Sequence, residues 1–394
     1  MTSRRLSSPS PSASPSHRRH VLLLAVGVSA SSLLLLVLLL LLFLFYFYLS
    51  LRRSPTLPLS SNTSPANPLR LRRFSYRALR SATASFDPSR SLGRGASAAV
   101  FRGVLPDGKS VAVKRLLSSA ASSDREFHNE LHVLAALRPS PFVVSLLGYC
   151  LEGRRRRLLV YEYMPNGSLQ EALFGSSSPL NWDRRFSIIL DVAQALAFLH
   201  LQCDPPVVHG DIKPSNVLLG FDFQAKISDF GLSQMKADAE LSSTTSMRGT
   251  VCYVAPECHH GCDQLMEKAD MYSFGVLILV IVSGRRPLHV LPSPAKPEKA
   301  SLVSWCRRLL QAGNLLELVD ERLKDAYDKE QASLCINLAL LCLQRIPELR
   351  PDGGDVVRIL KGEMELPAVP CELSPSPPAR HHGRSRRKAS MDEE

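Results

Sequence analysis

Four side chains in this chain have the types and spacing that phosphoryl chemistry needs. Asp211, Lys213 and Asn216 share one short loop between apolar runs, and a second carboxylate, Asp229, follows the next run. To move a phosphoryl group from a magnesium nucleotide to a hydroxyl, one carboxylate must orient the attacking hydroxyl and take its proton. A separate carboxylate and an amide oxygen must hold the metal that neutralises the phosphates. Asp211 fits the first task, and Asp229 and Asn216 fit the second. Lys213 brings positive charge beside the group in transit.

Read in order, His209, Asp211, Lys213 and Asn216, then Asp229-Phe230-Gly231, then Ala255-Pro256-Glu257 resemble the protein kinases. Upstream, Gly93 and Gly95 let backbone approach phosphate oxygens closely, and Val100 covers the adenine. Ala98 stands where the family pattern has a third glycine. Asp107-Gly108 reads as a hairpin turn into an alternating strand that ends on Lys114. By the resemblance, Lys114 grips the nucleotide phosphates and Glu130 is its ion-pair partner, with Glu126 as the rival. Phe127, Leu131 and Leu134 mark one face of the helix that carries them. The run from Leu159 to Leu169 resembles the hinge of the plant receptor-like kinases, in which Tyr161 gates the adenine pocket and backbone at Glu162 and Met164 bonds the adenine edge. Leu92 and Ala112 complete the nucleotide-binding set that the resemblance implies.

These elements imply an α+β, bilobal protein-kinase fold: a small β-rich lobe with one helix, then a larger, mainly helical lobe, preceded by one transmembrane helix. Apolar residues at helical spacing (Phe186, Ile189, Leu190, Val192, Ala193, Leu196, Leu199) predict a core helix leading into the catalytic loop. The stretch 268–284 is apolar nearly all round, but its uncharged apolar run of seven residues, 276–282, is far below the ~20 needed to span a bilayer. It reads as a buried helix. By resemblance, Thr250 bonds Asp211 and Lys213 in a serine/threonine-specific enzyme, Asp270 caps backbone near the catalytic loop, and Arg350 pairs with Glu257. Lys213 points to the same specificity. Residues 242–246 are all Ser or Thr and resemble an activation segment, so their hydroxyls are candidate phosphorylation sites. Ser390, behind a basic run, is another.

Gly210 is the main departure, because many kinases carry Arg there to read a phosphorylated activation segment through charge-assisted bonds. Cys252 and Val280 are milder ones.

At 394 residues, 45% hydrophobic and net charge +12, the chain is long enough for a sizeable core, and the placement of its charge matters more than the sum. The arginines flank an apolar segment, form the run 154–157 and crowd the C-terminus, which is a membrane and tail pattern rather than a nucleic-acid face. Residues 21–49 hold no charge; as a helix they would be about 43 Å long against a ~30 Å hydrocarbon core. That is too long for a signal peptide. The expected organisation is a disordered extracytoplasmic segment 1–20, a transmembrane helix 21–50, a juxtamembrane linker and helix 51–86, a kinase domain 87–365 and a disordered basic tail 366–394. Residues 74–86 read as a short amphipathic helix with Leu79, Ala82 and Phe86 inward.

A nucleotide-dependent domain must face the cytosol, which places the chain at the plasma membrane with about twenty residues outside, too few for a folded ectodomain. The nine cysteines all lie at or beyond Cys150 without framework spacing and read as reduced thiols. Cys258 to Cys262 lacks a second ligand pair and reads as a loop rather than a zinc site. The implied ligands and partners are ATP, Mg2+ with Mn2+ as a substitute, protein substrates, the lipid bilayer and a co-receptor supplying the ectodomain, with no nucleic acid. The competing reading is a catalytically weak pseudokinase scaffold.

Overall fold

The alternating apolar residues between 98 and 162 fold as an antiparallel sheet, and the helical periodicities beyond residue 180 fold as a helical lobe beneath it. The structure, a computed structural model, describes residues 38–41, 71–95, 97–117, 121–153, 156–175, 179–236, 250–260, 267–288 and 301–369. The chain divides into one unit up to Ala66, of which only the exposed helical turn 38–41 is described, and a second from Asn67. Everything below concerns the second.

Six strands form the sheet of the small lobe: β1 (Arg72–Arg73), β2 (Ser91–Arg94), β3 (Ala98–Val104), β4 (Ser110–Leu116), β5 (Leu146–Glu152) and β6 (Arg156–Glu162), in the order β1-β5-β6-β4-β3-β2. Their inward residues Ala99, Phe101, Val111, Val113, Leu158 and Val160 share a core with Phe74, Leu79, Ala82 and Phe86. The last four come from the segment around helix α1 (Tyr76–Ala82), whose first turn is capped by Ser75 accepting from the Ala78 amide. Leu79 and Ala82 are inward as their helical spacing predicts, but the helix stops at Ala82 instead of reaching Phe86, which is buried from a turn in which Ala84, Ser85 and Phe86 all have positive φ. Helix α2 (Ala121–Ala136) lies on the other side, with Phe127 and Glu130 buried.

The large lobe contains α3 (Leu169–Phe174), α4 (Trp182–Ala197), α5 (Glu267–Ser283), α6 (Leu302–Gln311), α7 (Lys329–Cys342) and α8 (Gly353–Leu360). Two small ribbons carry the loops that matter: β7 (Val207–Val208) pairs with β10 (Gln234–Met235), and β8 (Val217–Leu219) pairs with β9 (Ala225–Ile227). Helix α5 is buried from Ala269 to Ser283 apart from Tyr272, as a helix apolar on every side must be. One charge in α4 is buried as well. Arg185 donates to the carbonyls of Leu180 and Ile281 and to Asp320 Oδ2 at 2.6 Å. No helix among the described residues is long and apolar enough to cross a membrane. The apolar run 21–49 apart from 38–41, the Ser/Thr run 242–246, Arg154, Arg155, Cys262 and the tail from 370 lie outside the described residues. Seven cysteines are described, and among the described residues none of them is in a disulfide.

Strand β1 lies parallel to β5, and the fit depends on a missing side chain. A Cβ on Gly148 would stand 2.0 Å from the Arg72 carbonyl oxygen and 2.7 Å from the Phe74 ring. Replacing Gly148 by Val is therefore expected to displace β1 and destabilise the small lobe by about 1–3 kcal/mol. A lowered thermal midpoint with faster amide exchange at residues 72–74 is the expected result, and an unchanged exchange rate there would contradict it.

Candidate active site

The alternation of β4 ends with Lys114 beneath the sheet, where its ammonium meets two carboxylates from different elements. Glu130 Oε2 on α2 and Asp229 Oδ1 each lie 2.7 Å from it. Glu126, one turn earlier on α2, lies against Gly231 instead. The other oxygen of Glu130 accepts the Tyr161 hydroxyl at 2.5 Å. Burial pushes the Glu130 carboxyl up against the pull of Lys114. The Tyr161 phenol is pushed well up by burial and by Glu130, so it remains a proton donor to that carboxylate. Burial alone would lower Lys114, but Glu130 and Asp229 outweigh it and raise the ammonium above its ordinary value. For Asp229 burial acts upward, yet Lys114 wins and holds the carboxyl below the usual carboxylate range. The Asp229 side chain stays half-exposed, so it is ionised and reachable.

Asp229 occupies the left-handed region at φ 69°, an uncommon place for a residue other than glycine. What holds it there is a residue the sequence reading passed over. The Asn129 side-chain amide donates to the carbonyl of Ser233 at 2.7 Å and approaches those of Gly231 at 3.1 Å and Phe230 at 3.3 Å. One NH2 group has two hydrogens for three oxygens, so two of these bonds share a proton. The available signal was an Asn at a half-buried helix position, where it is a poor helix former unless its side chain has a partner.

In the catalytic loop Asp211 is held from three directions. Lys213 Nζ reaches Oδ2 at 2.5 Å, Thr250 donates its hydroxyl to Oδ1 at 3.0 Å, and Asn216 Nδ2 bonds both Oδ2 at 3.0 Å and the Asp211 carbonyl at 2.9 Å. Thr250 Oγ1 also accepts from Lys213 at 2.9 Å, so one hydroxyl joins the cation and the carboxylate. His209 ties this loop to the one carrying Asp229. Its Nδ1 accepts the Asp211 amide at 3.2 Å, so the proton sits on Nε2, which donates to the Ser228 carbonyl at 3.1 Å. A second tie runs from the Ser228 amide to the Asn216 carbonyl at 2.8 Å.

Behind the loop lies the buried carboxylate of Asp270. Its Oδ1 accepts from the Gly210 amide at 2.8 Å, and its Oδ2 accepts from the His209 amide at 2.7 Å and from His200 Nε2 at 2.9 Å. Burial would raise this carboxyl, but His200, His209 and the Gly210 amide keep it below its ordinary value. Arg350 grips Glu257 with both terminal nitrogens, at 2.6 and 2.8 Å.

The remaining sequence-derived residues line the sheet side of the cleft. Gly93 pairs with Val100 across the β2–β3 hairpin, and the Gly95 amide closes the turn on the Ala98 carbonyl at 2.9 Å. Leu92 is exposed on β2, and Ala112 lies opposite Tyr161. Met164 is buried at the hinge. Glu162 points its carboxylate away, to Lys226 at 2.9 Å from both oxygens, and its own amide donates to the Ser145 carbonyl at 3.1 Å.

A family model described as a protein kinase domain matches residues 86–359. A receptor-like protein kinase of Arabidopsis thaliana is 33% identical over 86% of this chain and 93% of its own length. An LRR receptor-like serine/threonine-protein kinase of the same plant is 40% identical, and the proline-rich receptor-like protein kinase PERK1 is 37% identical. Those two matches cover 82% and 74% of this chain but only 31% and 45% of the relatives, so the chain spans less than half the length of either.

Two outcomes follow from this geometry. Replacing Asn129 by Ala removes the support of the Asp229 segment, about 1–2 kcal/mol of hydrogen bonding. Phosphate transfer should then fall on the order of tenfold in kcat with the protein-substrate KM unchanged; a KM effect alone would contradict the assignment. Asp229, Asp270 and Asp320 all have depressed folded values, against an ordinary aspartate value of 3.8. Their stabilisation is complete above that value and is lost as pH falls through it towards the folded values. The denaturant midpoint should drop as pH falls below about 4, and less steeply in Asp270→Asn than in the native chain.

Proposed function

The chain belongs to the protein kinase family as a protein serine/threonine kinase, and from that premise we propose a membrane-anchored, ATP-dependent enzyme of signal transduction. It moves the γ-phosphoryl group to serine and threonine hydroxyls of proteins. The observation that carries this reading is the assembled state of the cleft. Lys114 bridges Glu130 and Asp229, while Asp211 is oriented by Lys213, Thr250 and Asn216.

In this reading Asp211 accepts the proton of the attacking hydroxyl as the new oxygen–phosphorus bond forms and the bond to the departing ADP breaks. Lys213 balances charge on the phosphoryl oxygens. Lys114, fixed between two carboxylates, holds the other nucleotide phosphates. Asn216 Nδ2 is engaged by Asp211, its Oδ1 accepts one long bond from the Ser215 hydroxyl at 3.3 Å and keeps a second lone pair for a metal, and Asp229 is ionised. One amide oxygen and one carboxylate suit a hard cation that keeps water and phosphate as its other ligands, so Asn216 and Asp229 would hold Mg2+. Bound there, the metal supplies neutralisation of the phosphate charge. Among the described residues no cluster of three His, Cys, Asp or Glu side chains could hold a metal alone.

Leu92, Gly93, Gly95, Val100 and Ala112 enclose the nucleotide. Because the Glu162 amide already bonds Ser145, the groups for the adenine edge are the Glu162 carbonyl and the Met164 amide, with Tyr161 setting the depth of the pocket.

We assign the catalytic domain to residues 87–365 and the tail to 366–394. The membrane part of the proposal rests on the uncharged run 21–49 and on the receptor-like names of the relatives. It places the kinase domain on the cytoplasmic face of the plasma membrane, with a co-receptor and protein substrates as partners.

Asp211→Ala is expected to slow transfer by ~100- to 10,000-fold while ATP binding persists. A native chain that binds nucleotide but transfers no faster than this variant would make it a scaffold instead.

A further inference from the structure

Two arginine runs nearly eighty residues apart in sequence meet at one corner of the small lobe. Arg72 lies opposite Gly148 and Arg73 opposite Tyr149 in the β1–β5 pairing, and Arg73 Nη2 reaches the Leu151 carbonyl at 3.5 Å. The Tyr76 amide donates to Glu152 Oε1 at 2.9 Å, and the Arg156 guanidinium lies over the Tyr76 ring, 4.7 Å from its centre. On α1, Arg77 and Arg80 are exposed while Leu79 and Ala82 are buried. The fold thus gathers Arg72, Arg73, Arg77, Arg80 and Arg156, all exposed. Glu152, 3.5 Å from Arg156, is the carboxylate among them, and residues 70–86 contain no Asp or Glu. Arg157 does not join them; it pairs with Asp124 of α2.

Like charges gathered this way repel one another, and a fold that keeps five arginines exposed around a single carboxylate, Glu152, presents a surface for a polyanion. The position of this corner in the chain selects the polyanion. Residues 51–71 separate it from the apolar run 21–49, and that many residues span at most ~70 Å even when fully extended. A corner tethered so closely to a bilayer meets its surface at high effective concentration. We propose that the corner formed by β1, α1 and the start of β6 docks on an anionic leaflet and holds the small lobe against the membrane. This inference rests on the membrane-anchored reading above.

The test uses the full chain in nanodiscs of phosphatidylcholine alone and of phosphatidylcholine with about 30% phosphatidylserine, read by amide hydrogen exchange. Anionic lipid should slow exchange across residues 72–80 by about tenfold or more, and the effect should vanish near 1 M salt, where the screening length is only ~3 Å. The variant carrying Arg72→Gln, Arg73→Gln, Arg77→Gln and Arg80→Gln should lose the protection with an unchanged thermal midpoint, whereas Arg358→Gln on the large lobe should keep it. If that variant does not fold, the salt dependence of the native chain decides. Equal protection in both lipids overturns the proposal, as does protection that appears only when an acidic protein is added. A chain that is not retained in the nanodiscs at all overturns the membrane anchor itself, a result distinct from retention without lipid-dependent protection.

Discussion

One ionised carboxylate, buried near the start of the most apolar helix, organises the lower half of the cleft. Asp270 lies in α5 among side chains that offer it no solvation, and a charge there is tolerable only if donors replace the lost water. Two backbone amides and one imidazole do so. The consequence runs outward from that requirement. Satisfying Asp270 fixes the backbone at His209 and Gly210, which places Asp211. The His209 ring, held at Nδ1 by the Asp211 amide, then bonds Ser228 and packs edge-on against Phe230 at 4.8 Å. The desolvation of one aspartate therefore sets the positions of two others.

The upper half of the cleft depends on a different constraint: Lys114 must satisfy two carboxylates at once. Glu130 belongs to the small lobe, and Asp229 follows the β8–β9 ribbon of the large one, so the ammonium is a bond between lobes as well as a phosphate ligand. Such a bridge forms only when α2 is close to the segment after Asp229. Asn129, adjacent to Glu130, makes that approach by bonding three carbonyls of the segment. Tyr161 adds a contact from β6 to the far oxygen of Glu130, so strand, helix and loop converge on a single carboxylate.

Much of this was legible in the sequence, and the limits are instructive. Asp211, Asn216 and Asp229 stood out by type and spacing, whereas Lys114 and Glu130 were legible only through the order of motifs that resembles the protein kinases. The order of the motifs supplied the bilobal architecture. The buried inner face of α1 followed from the spacing of Leu79 and Ala82, and the burial of α5 from its uniform apolarity. Asn129 and Arg185 escaped notice because their partners are mostly backbone carbonyls, which leave no trace in residue types. The corner of arginines escaped for a related reason. Its first run was legible as charge near a leaflet or in solvent and its second as an exposed turn, and only the parallel pairing of a two-residue strand, allowed by Gly148, shows that they adjoin.

Gly210 shows how the loop is held without the arginine that many kinases carry there. Its φ of 80° lies in the left-handed region that glycine enters freely and that other residues occupy at a cost of about 1–2 kcal/mol. Glycine therefore gives Asp270 the amide it needs without backbone strain, so the loop conformation does not depend on an arginine being drawn towards a phosphate. Among the described residues, Thr250 connects Asp211 to the stretch that leads into Ala255-Pro256-Glu257, bonding Asp211 through both its amide and its hydroxyl and accepting from Lys213. Displacing Thr250 would loosen Asp211 and Lys213 together, a coupling made by hydrogen bonds that needs no arginine at residue 210.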